Sequence, residues 1–362
     1  MFSGFPVKGN LSRRDFSASL LAMFALPRFA LAQRDREYIS FGVFSLFEPQ
    51  QLLLQSAQPL LLHLDRSLLL TRPEAPATSI HTAPGKRFEV ILDGVTQEAT
   101  KLSVTSISGG PTTFMLAVPA PSLHGTISRQ YAATLELQIH PTSHALQPVI
   151  TMDRESAVAS IVLAESPSHA PLAYLQAQAI VSRSFLLAAV SGHSGFDFCD
   201  TTHCQFLREA PPPDSLVTRA VLQTRSLYLT YEGQTLPAMY SRSCGGHTHT
   251  LAELGLPATI YPYYSVVCDA CLHRPERWHR ALDSSLEPSH TERARLALDR
   301  IHGWSALPSG TFERTSAGTE GVGIGHGIGL CQRGASALAT QGSDYHTLLA
   351  HFYPNTAVSY PT

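Results

Sequence analysis

The chain is short of charge. Of its 362 residues only 15% are charged, and 26 basic side chains stand against 28 acidic ones. A net charge of −2 provides no basic footprint for nucleic acid, while 44% hydrophobic residues are too many for an intrinsically disordered chain. No segment beyond the N-terminus reaches 18 uninterrupted apolar residues, so none reads as a membrane-spanning helix once a leader is set aside. H-E-x-x-H and G-x-S-x-G are both missing, which weakens a zincin or a serine hydrolase reading. No glycines fit G-x-G-x-x-G and there is no P-loop lysine, which disfavours nucleotide binding. Cysteine is absent before Cys199. The six that follow, with 17 histidines, are the unusual part of the composition. A chain of this length buries enough core to stand without disulfide staples, so metal binding and redox bonding both have to be weighed.

Residues 1–32 read as a cleavable leader. Arg13-Arg14 precedes an apolar stretch from Ala18 to Leu26, and Ala30-Leu31-Ala32 supplies small residues for cleavage. Removing it takes away Lys8, Arg13, Arg14, Arg28 and Asp15, which moves the net charge from −2 to −5. A twin-arginine signal predicts export, to the periplasm or the exterior, as a soluble protein. Residues 33–150 read as a β-rich region. Short apolar runs (Tyr38–Leu46, Gln51–Leu54, Arg87–Leu92, Lys101–Ile107, Thr113–Val118, Tyr131–Ile139) are divided by turn signals such as Asp93-Gly94, and Thr134–Ile139 alternates with period two.

The texture changes at Asp153. Glu155–Ala164 reads as a helix, Ser166-Pro167 interrupts it, and Pro171 opens a second helix reaching about Val190. That second helix is apolar on nearly every face and carries one formal charge, Arg183, which predicts burial and therefore an anionic partner. Glu165, at the break, is the nearest candidate in sequence. The expected fold class is thus α+β: a β-rich N-terminal half, then a mixed region over residues 151–362 with a buried helix and a cleft.

The most specific local signal is His193-Ser194-Gly195-Phe196-Asp197-Phe198-Cys199-Asp200-Thr201-Thr202-His203-Cys204. Two imidazoles and two thiols in one loop can close a tetrahedral zinc shell, leaving no open position for catalysis. A Cys199–Cys204 disulfide with two surface histidines is the alternative. Further on, Tyr240-Ser241-Arg242-Ser243-Cys244-Gly245-Gly246-His247 sets hydroxyls and an imidazole beside a Gly-Gly turn, and Cys268-Asp269-Ala270-Cys271 follows. In Gly321–Gly329 glycine takes every second position, which allows close backbone approach.

Taken in order, Ile161–Pro167, Leu175–Phe185, Cys199–Gln205, Ser243–Thr248 and Gly325–Ala335 resemble the stage II sporulation protein D / amidase-enhancer family (SpoIID/LytB). The resemblance runs from about Tyr38 to Pro354 and is dense after Tyr131. It implies a SpoIID-like fold and a peptidoglycan lytic transglycosylase that cuts MurNAc–GlcNAc strands to 1,6-anhydro ends. Such a reaction needs one carboxyl as both acid and base, because the nucleophile is the sugar's own C6 hydroxyl. Glu165 matches the catalytic glutamate and Arg183 its partner. Tyr240, Ser241 and Ser243, with His326 and Gln332, are implied at the substrate cleft. His193, Cys199, His203 and Cys204 map onto a structural zinc. Cys244, Cys268, Cys271 and Cys331 depart from the sporulation-type pattern. They allow disulfides, Cys244 with Cys268 or Cys271 being favoured in an exported chain, or a second metal site using Cys268, Cys271 and His273. The implied partner is peptidoglycan glycan. The other branch of the family makes a non-catalytic wall protein that enhances a cell-wall amidase the alternative.

Overall fold

The computed structural model describes residues 37–44, 47–72, 76–120, 125–189, 193–201, 203–281, 307–316 and 318–360. The leader expected over residues 1–32 lies outside them. Twelve strands form one continuous sheet: β1 (Tyr38–Gly42), β2 (Gln51–Gln55), β3 (Leu61–Leu64), β4 (Ser67–Leu70), β5 (Thr78–Ala83), β6 (Arg87–Leu92), β7 (Val95–Ala99), β8 (Leu102–Thr105), β9 (Thr112–Ala120), β10 (Gly125–Ile139), β11 (Leu146–Asp153) and β12 (Phe198–Cys199). The long strand β10 joins two halves of this sheet. Its first part, 125–133, pairs with β9, and its second part, 134–139, runs between β11 and β8. Burial along β10 follows the period read from the sequence, with Leu135 and Leu137 inside and Glu136 outside. Asp93-Gly94, both at positive φ (50° and 79°), turns β6 into β7, as a two-residue hairpin of right-handed strands requires.

Two of the expected runs were too long and several strands were not anticipated, β11 among them. Lys101–Ile107 shrinks to Leu102–Thr105 and Tyr38–Leu46 to Tyr38–Gly42, because pairing with β10 and β11, rather than apolar content, sets where each ladder stops. Leu146–Asp153 holds Pro148 and ends in charge, which masks its period.

Helix α1 (Arg154–Glu165) continues directly from β11. Asp153 caps it, its carboxylate accepting the N–H groups of Glu155 and Ser156, both at 3.0 Å. Ser166 and Pro167 end it. Helix α2 (Leu172–Ala188) follows with Pro171 as its N-cap, and twelve of its residues are buried. It packs against α1, α3 (Leu216–Gln223), α5 (Gln332–Thr340), α6 (Tyr345–Phe352) and strand β13 (Tyr228–Tyr231). Around this centre lie β14 (Gln234–Thr235), β15 (Tyr240–Ser241), α4 (Asp269–His273), β16 (Arg277–Arg280), β17 (Phe312–Thr315), β18 (Gly318–Val322), β19 (Leu330–Cys331) and β20 (Ala357–Ser359). The fold is therefore α+β. One apolar core runs from the sheet (Phe88, Leu116, Leu135) through α2 (Ile180, Val181) to α6 (Phe352). Among the described residues no helix is long and apolar enough to cross a membrane.

Candidate functional site

Glu165 closes α1, and its carboxylate is met from two other segments. The Phe206 backbone N–H donates to Oε1 at 2.9 Å and the Tyr240 hydroxyl to the same oxygen at 3.2 Å. Gln332, at the first position of α5, donates to the Glu165 backbone carbonyl at 3.2 Å and so fixes the helix end. The residue keeps intermediate solvent exposure. Around the carboxyl itself protein is dense, and desolvation raises its pKa above the ordinary glutamate value, against the opposing effect of the Phe206, Tyr240 and Gln332 hydrogen bonds. Tyr240 is pushed well above an ordinary tyrosine by burial and by the Glu165 charge, so it stays a donor.

Tyr240 has two acceptors and one proton. Besides Glu165 it reaches Gln205 Oε1 at 3.0 Å. Gln205 in turn donates to the Ser182 carbonyl at 3.4 Å, and Gln178 Nε2 meets Ser182 Oγ at 3.3 Å. An amide network thus backs the carboxyl. Gln178, Ser182 and Gln205 were not singled out from the sequence. The signal was present, since Gln178 and Ser182 are polar residues four apart on a largely apolar helix, where buried polar groups must find one another.

The strand that presents Tyr240 is set by close backbone approach. β15 pairs in parallel with β19, Tyr240 opposite Leu330 and Ser241 opposite Cys331. A Cβ on Gly329 (φ +68°) would lie 2.0 Å from the Met239 carbonyl oxygen, which is the close approach expected of the alternating glycines. Tyr353 locks the same junction, donating from its hydroxyl to the Met239 carbonyl at 2.5 Å and accepting the Leu330 N–H at 3.2 Å.

Arg183 corrects the sequence reading. It is fully buried, but its carboxylate partner is Glu155, at 2.6 Å from Nη2 to Oε2 and 2.9 Å from Nε to Oε1, and not Glu165. Its Nη1 donates to the Leu227 carbonyl at 2.9 Å and the Ala179 carbonyl at 3.4 Å. The reason is position along the helix axis: Glu155 and Glu165 sit at opposite ends of α1, and Arg183 on α2 meets the N-terminal end. Ser243 meets sulfur. Its hydroxyl is buried 3.5 Å from Cys271 Sγ. Ser241 is buried beside Gly325. His326 is held within its own loop, Nδ1 accepting the Ile328 N–H at 3.0 Å. Of the residues implied at the cleft, Tyr240 and Gln332 are the ones brought to Glu165.

His193, Cys199, His203 and Cys204 converge, their ligand atoms all within 4.8 Å of one another. His193 Nε2 lies 3.3 Å from Cys204 Sγ, and His203 Nδ1 lies 3.4 Å from Cys204 Sγ and 3.8 Å from Cys199 Sγ. Zn–S bonds of about 2.3 Å and Zn–N bonds of about 2.0–2.1 Å put adjacent corners of a tetrahedron about 3.6 Å apart, so this donor set fits one ion. Cys199 and Cys204 are free thiols, as are the other four cysteines. The loop is anchored to the sheet on its far side: Phe198–Cys199 forms β12 beside β1, and the Asp200 carboxylate accepts the Phe44 N–H at 3.1 Å and pairs with Arg129 at 2.5 Å. The favoured Cys244 disulfide is not formed. Cys244, Cys268, Cys271 and Cys331 gather as a second group within 4.8 Å, while His273 is exposed outside it.

A cavity of about 190 Å³ lies on another side of α1, lined by Tyr131, Met152, Ser156, Ser160, Arg208 and Thr218 among others, and Glu165 is not part of it.

Residues 142–231 match the family described as stage II sporulation protein, SpoIID. The chain carries a SpoIID domain. The matched residues contain α1, α2, the His/Cys loop and Gln205, with Glu165 and Arg183 inside, and the family ties the chain to cell-wall function. An uncharacterized protein of Brachyspira hyodysenteriae is 24% identical over 257 residues, which cover 60% of this chain and 69% of that protein.

Proposed function

We propose that this SpoIID-domain protein is an exported peptidoglycan lytic transglycosylase in which Glu165 is the single general acid and base. The observation that carries the reading is the Glu165 environment: a carboxyl at a helix end, its pKa raised by desolvation, and held by Phe206 and Tyr240. A raised pKa widens the pH range over which Glu165 can give its proton to the glycosidic oxygen as the MurNAc–GlcNAc bond breaks. The resulting carboxylate then takes the proton of the C6 hydroxyl as its oxygen closes on C1, and Glu165 ends as it began. Tyr240 can follow this cycle with its one proton, donating to Gln205 while Glu165 is protonated and to Glu165 when it is ionised. A two-carboxylate glycosidase would need a second acid facing the first. Glu155, the other acid of α1, is committed to Arg183.

His193, Cys199, His203 and Cys204 would hold a zinc ion that is structural, since four protein donors leave no position for water. Its place in the scheme is to tie the loop that leads into Gln205 and Phe206 to β1 of the sheet. Export follows from the N-terminal sequence, and glycan strands are the partner.

Digestion of purified glycan strands followed by mass spectrometry tests the reading. Anhydro-ended sugars are expected from the unaltered protein and not from Glu165→Gln. Reducing ends would mean hydrolysis instead, and the absence of any cleavage together with faster turnover by an added wall amidase would mean an amidase enhancer.

A further inference from the structure

The four cysteines outside the His/Cys loop come from three separate segments. Cys244 precedes the Gly245-Gly246 turn, Cys268 and Cys271 flank the first turn of α4, and Cys331 joins β19 to α5. All four are buried, at 0–4% exposure, and their sulfurs lie within 4.8 Å of one another, with Cys271 and Cys331 at 3.5 Å. Apolar packing alone gives no reason for four thiols to converge on one point. Two disulfides would draw the sulfurs into two bonded pairs about 2 Å apart. One ion with metal–sulfur bonds of about 2.3 Å would set neighbouring sulfurs about 3.8 Å apart, which is the scale observed. An iron–sulfide cluster must fit its own atoms between the thiolates and would spread them wider.

The surroundings suit thiolates. The Gly334 N–H points at Cys331 Sγ at 3.4 Å, and the Ser243 hydroxyl lies 3.5 Å from Cys271 Sγ, so two of the sulfurs have donors outside the ligand set. Gly334 is also a steric requirement. A Cβ there would stand 2.4 Å from Cys268 Sγ and 3.1 Å from the Phe352 ring. A side chain at this position would displace a ligand without altering one.

We propose that Cys244, Cys268, Cys271 and Cys331 form a second, closed metal site, a tetrahedral tetrathiolate for a single zinc-type divalent cation. Binding replaces four S–H bonds by four metal–sulfur bonds and releases the thiol protons to solvent. The site clamps together the segments that present Tyr240 and Gln332: Cys244 lies four residues after Tyr240, and Cys331 immediately precedes Gln332. Neither the His/Cys loop nor the assignment of Glu165 enters this inference.

The test is metal and thiol counting on the full chain purified with zinc. Two zinc ions per chain and six titratable thiols after denaturation and chelation are expected, falling to one zinc ion in Cys204→Ser and also to one in Gly334→Ala, which keeps every ligand. Circular dichroism checks the fold of Gly334→Ala, and if that variant does not fold, the ion left in Cys204→Ser still decides. One zinc ion that survives Cys204→Ser and disappears in Gly334→Ala would uphold the tetrathiolate site while removing the His/Cys one. A single ion lost entirely with Cys204→Ser, two free thiols in place of six, or iron with acid-labile sulfide would each overturn the proposal.

Discussion

The Glu155–Arg183 pair offers a quantitative test of what holds the helical centre together. Arg183 has no exposed side-chain surface, and Glu155 retains 17%. Truncation in Glu155→Ala leaves the guanidinium buried, with Nη1 still bonded to the Leu227 carbonyl but Nε and Nη2 without acceptors. Breaking one side of a buried pair costs about 3–5 kcal/mol. Water that already reaches Glu155 can enter the vacated space, which points to the lower end, about 3 kcal/mol, and loss of an acid in the first helical turn adds about 0.3–1 kcal/mol. Arg183→Met should cost less, because it removes the buried charge and leaves the more accessible one. The double variant Glu155→Leu/Arg183→Met exchanges both for apolar volume and should be more stable than Glu155→Ala. Urea unfolding followed by far-ultraviolet circular dichroism gives the free energies. A loss under about 1 kcal/mol in Glu155→Ala, or a double variant as unstable as the sum of its parts, would mean that the ion pair does not hold the helical centre together.

Two further outcomes follow from the site. Tyr240→Phe removes a hydrogen bond that favours ionised Glu165, so the carboxyl should move further upward and the alkaline limb of kcat/KM should shift to higher pH, with activity about tenfold lower for a lost bond of about 1.4 kcal/mol; an unmoved limb would separate Tyr240 from Glu165. Gly329→Ala puts a methyl 2.0 Å from the Met239 oxygen at φ +68° and should lose about 3–4 kcal/mol, whereas Gly94→Ala, at φ +79° with nothing within 4 Å, should lose only the conformational cost of about 1–2 kcal/mol. Equal losses in the two, measured by thermal melting, would mean that close approach of backbone to β15 is not what selects glycine at 329.

The linear pattern was enough to locate α1, α2 and the His/Cys donor set because each of them is local. Asp153 and Pro167 bracket α1, the apolar run after Pro171 requires burial, and four metal-type donors lie within twelve residues of each other. Each follows from periodicity, capping or donor inventory over a short stretch. The same holds for the Asp93-Gly94 hairpin.

Partnership across the chain was not legible in this way. Glu155 and Glu165 are both acids of one helix, and only the packing of α2 across α1 gives Arg183 to the first, which leaves Glu165 to Phe206, Tyr240 and Gln332. Ser243, two positions from Ser241 and three from Tyr240, turns instead toward sulfur. Cys331 lies 60 residues from Cys271, too far for spacing to suggest a shared site, yet the packing of α4 against α5 brings its sulfur to 3.5 Å. Short-range sterics and hydrogen bonding are written into the sequence, so α1, α2, the Asp93-Gly94 hairpin and one donor set can be read from it; which charge meets which, and which thiols meet at all, depends on the directions in which the packed helices and strands face, and long-range packing sets those.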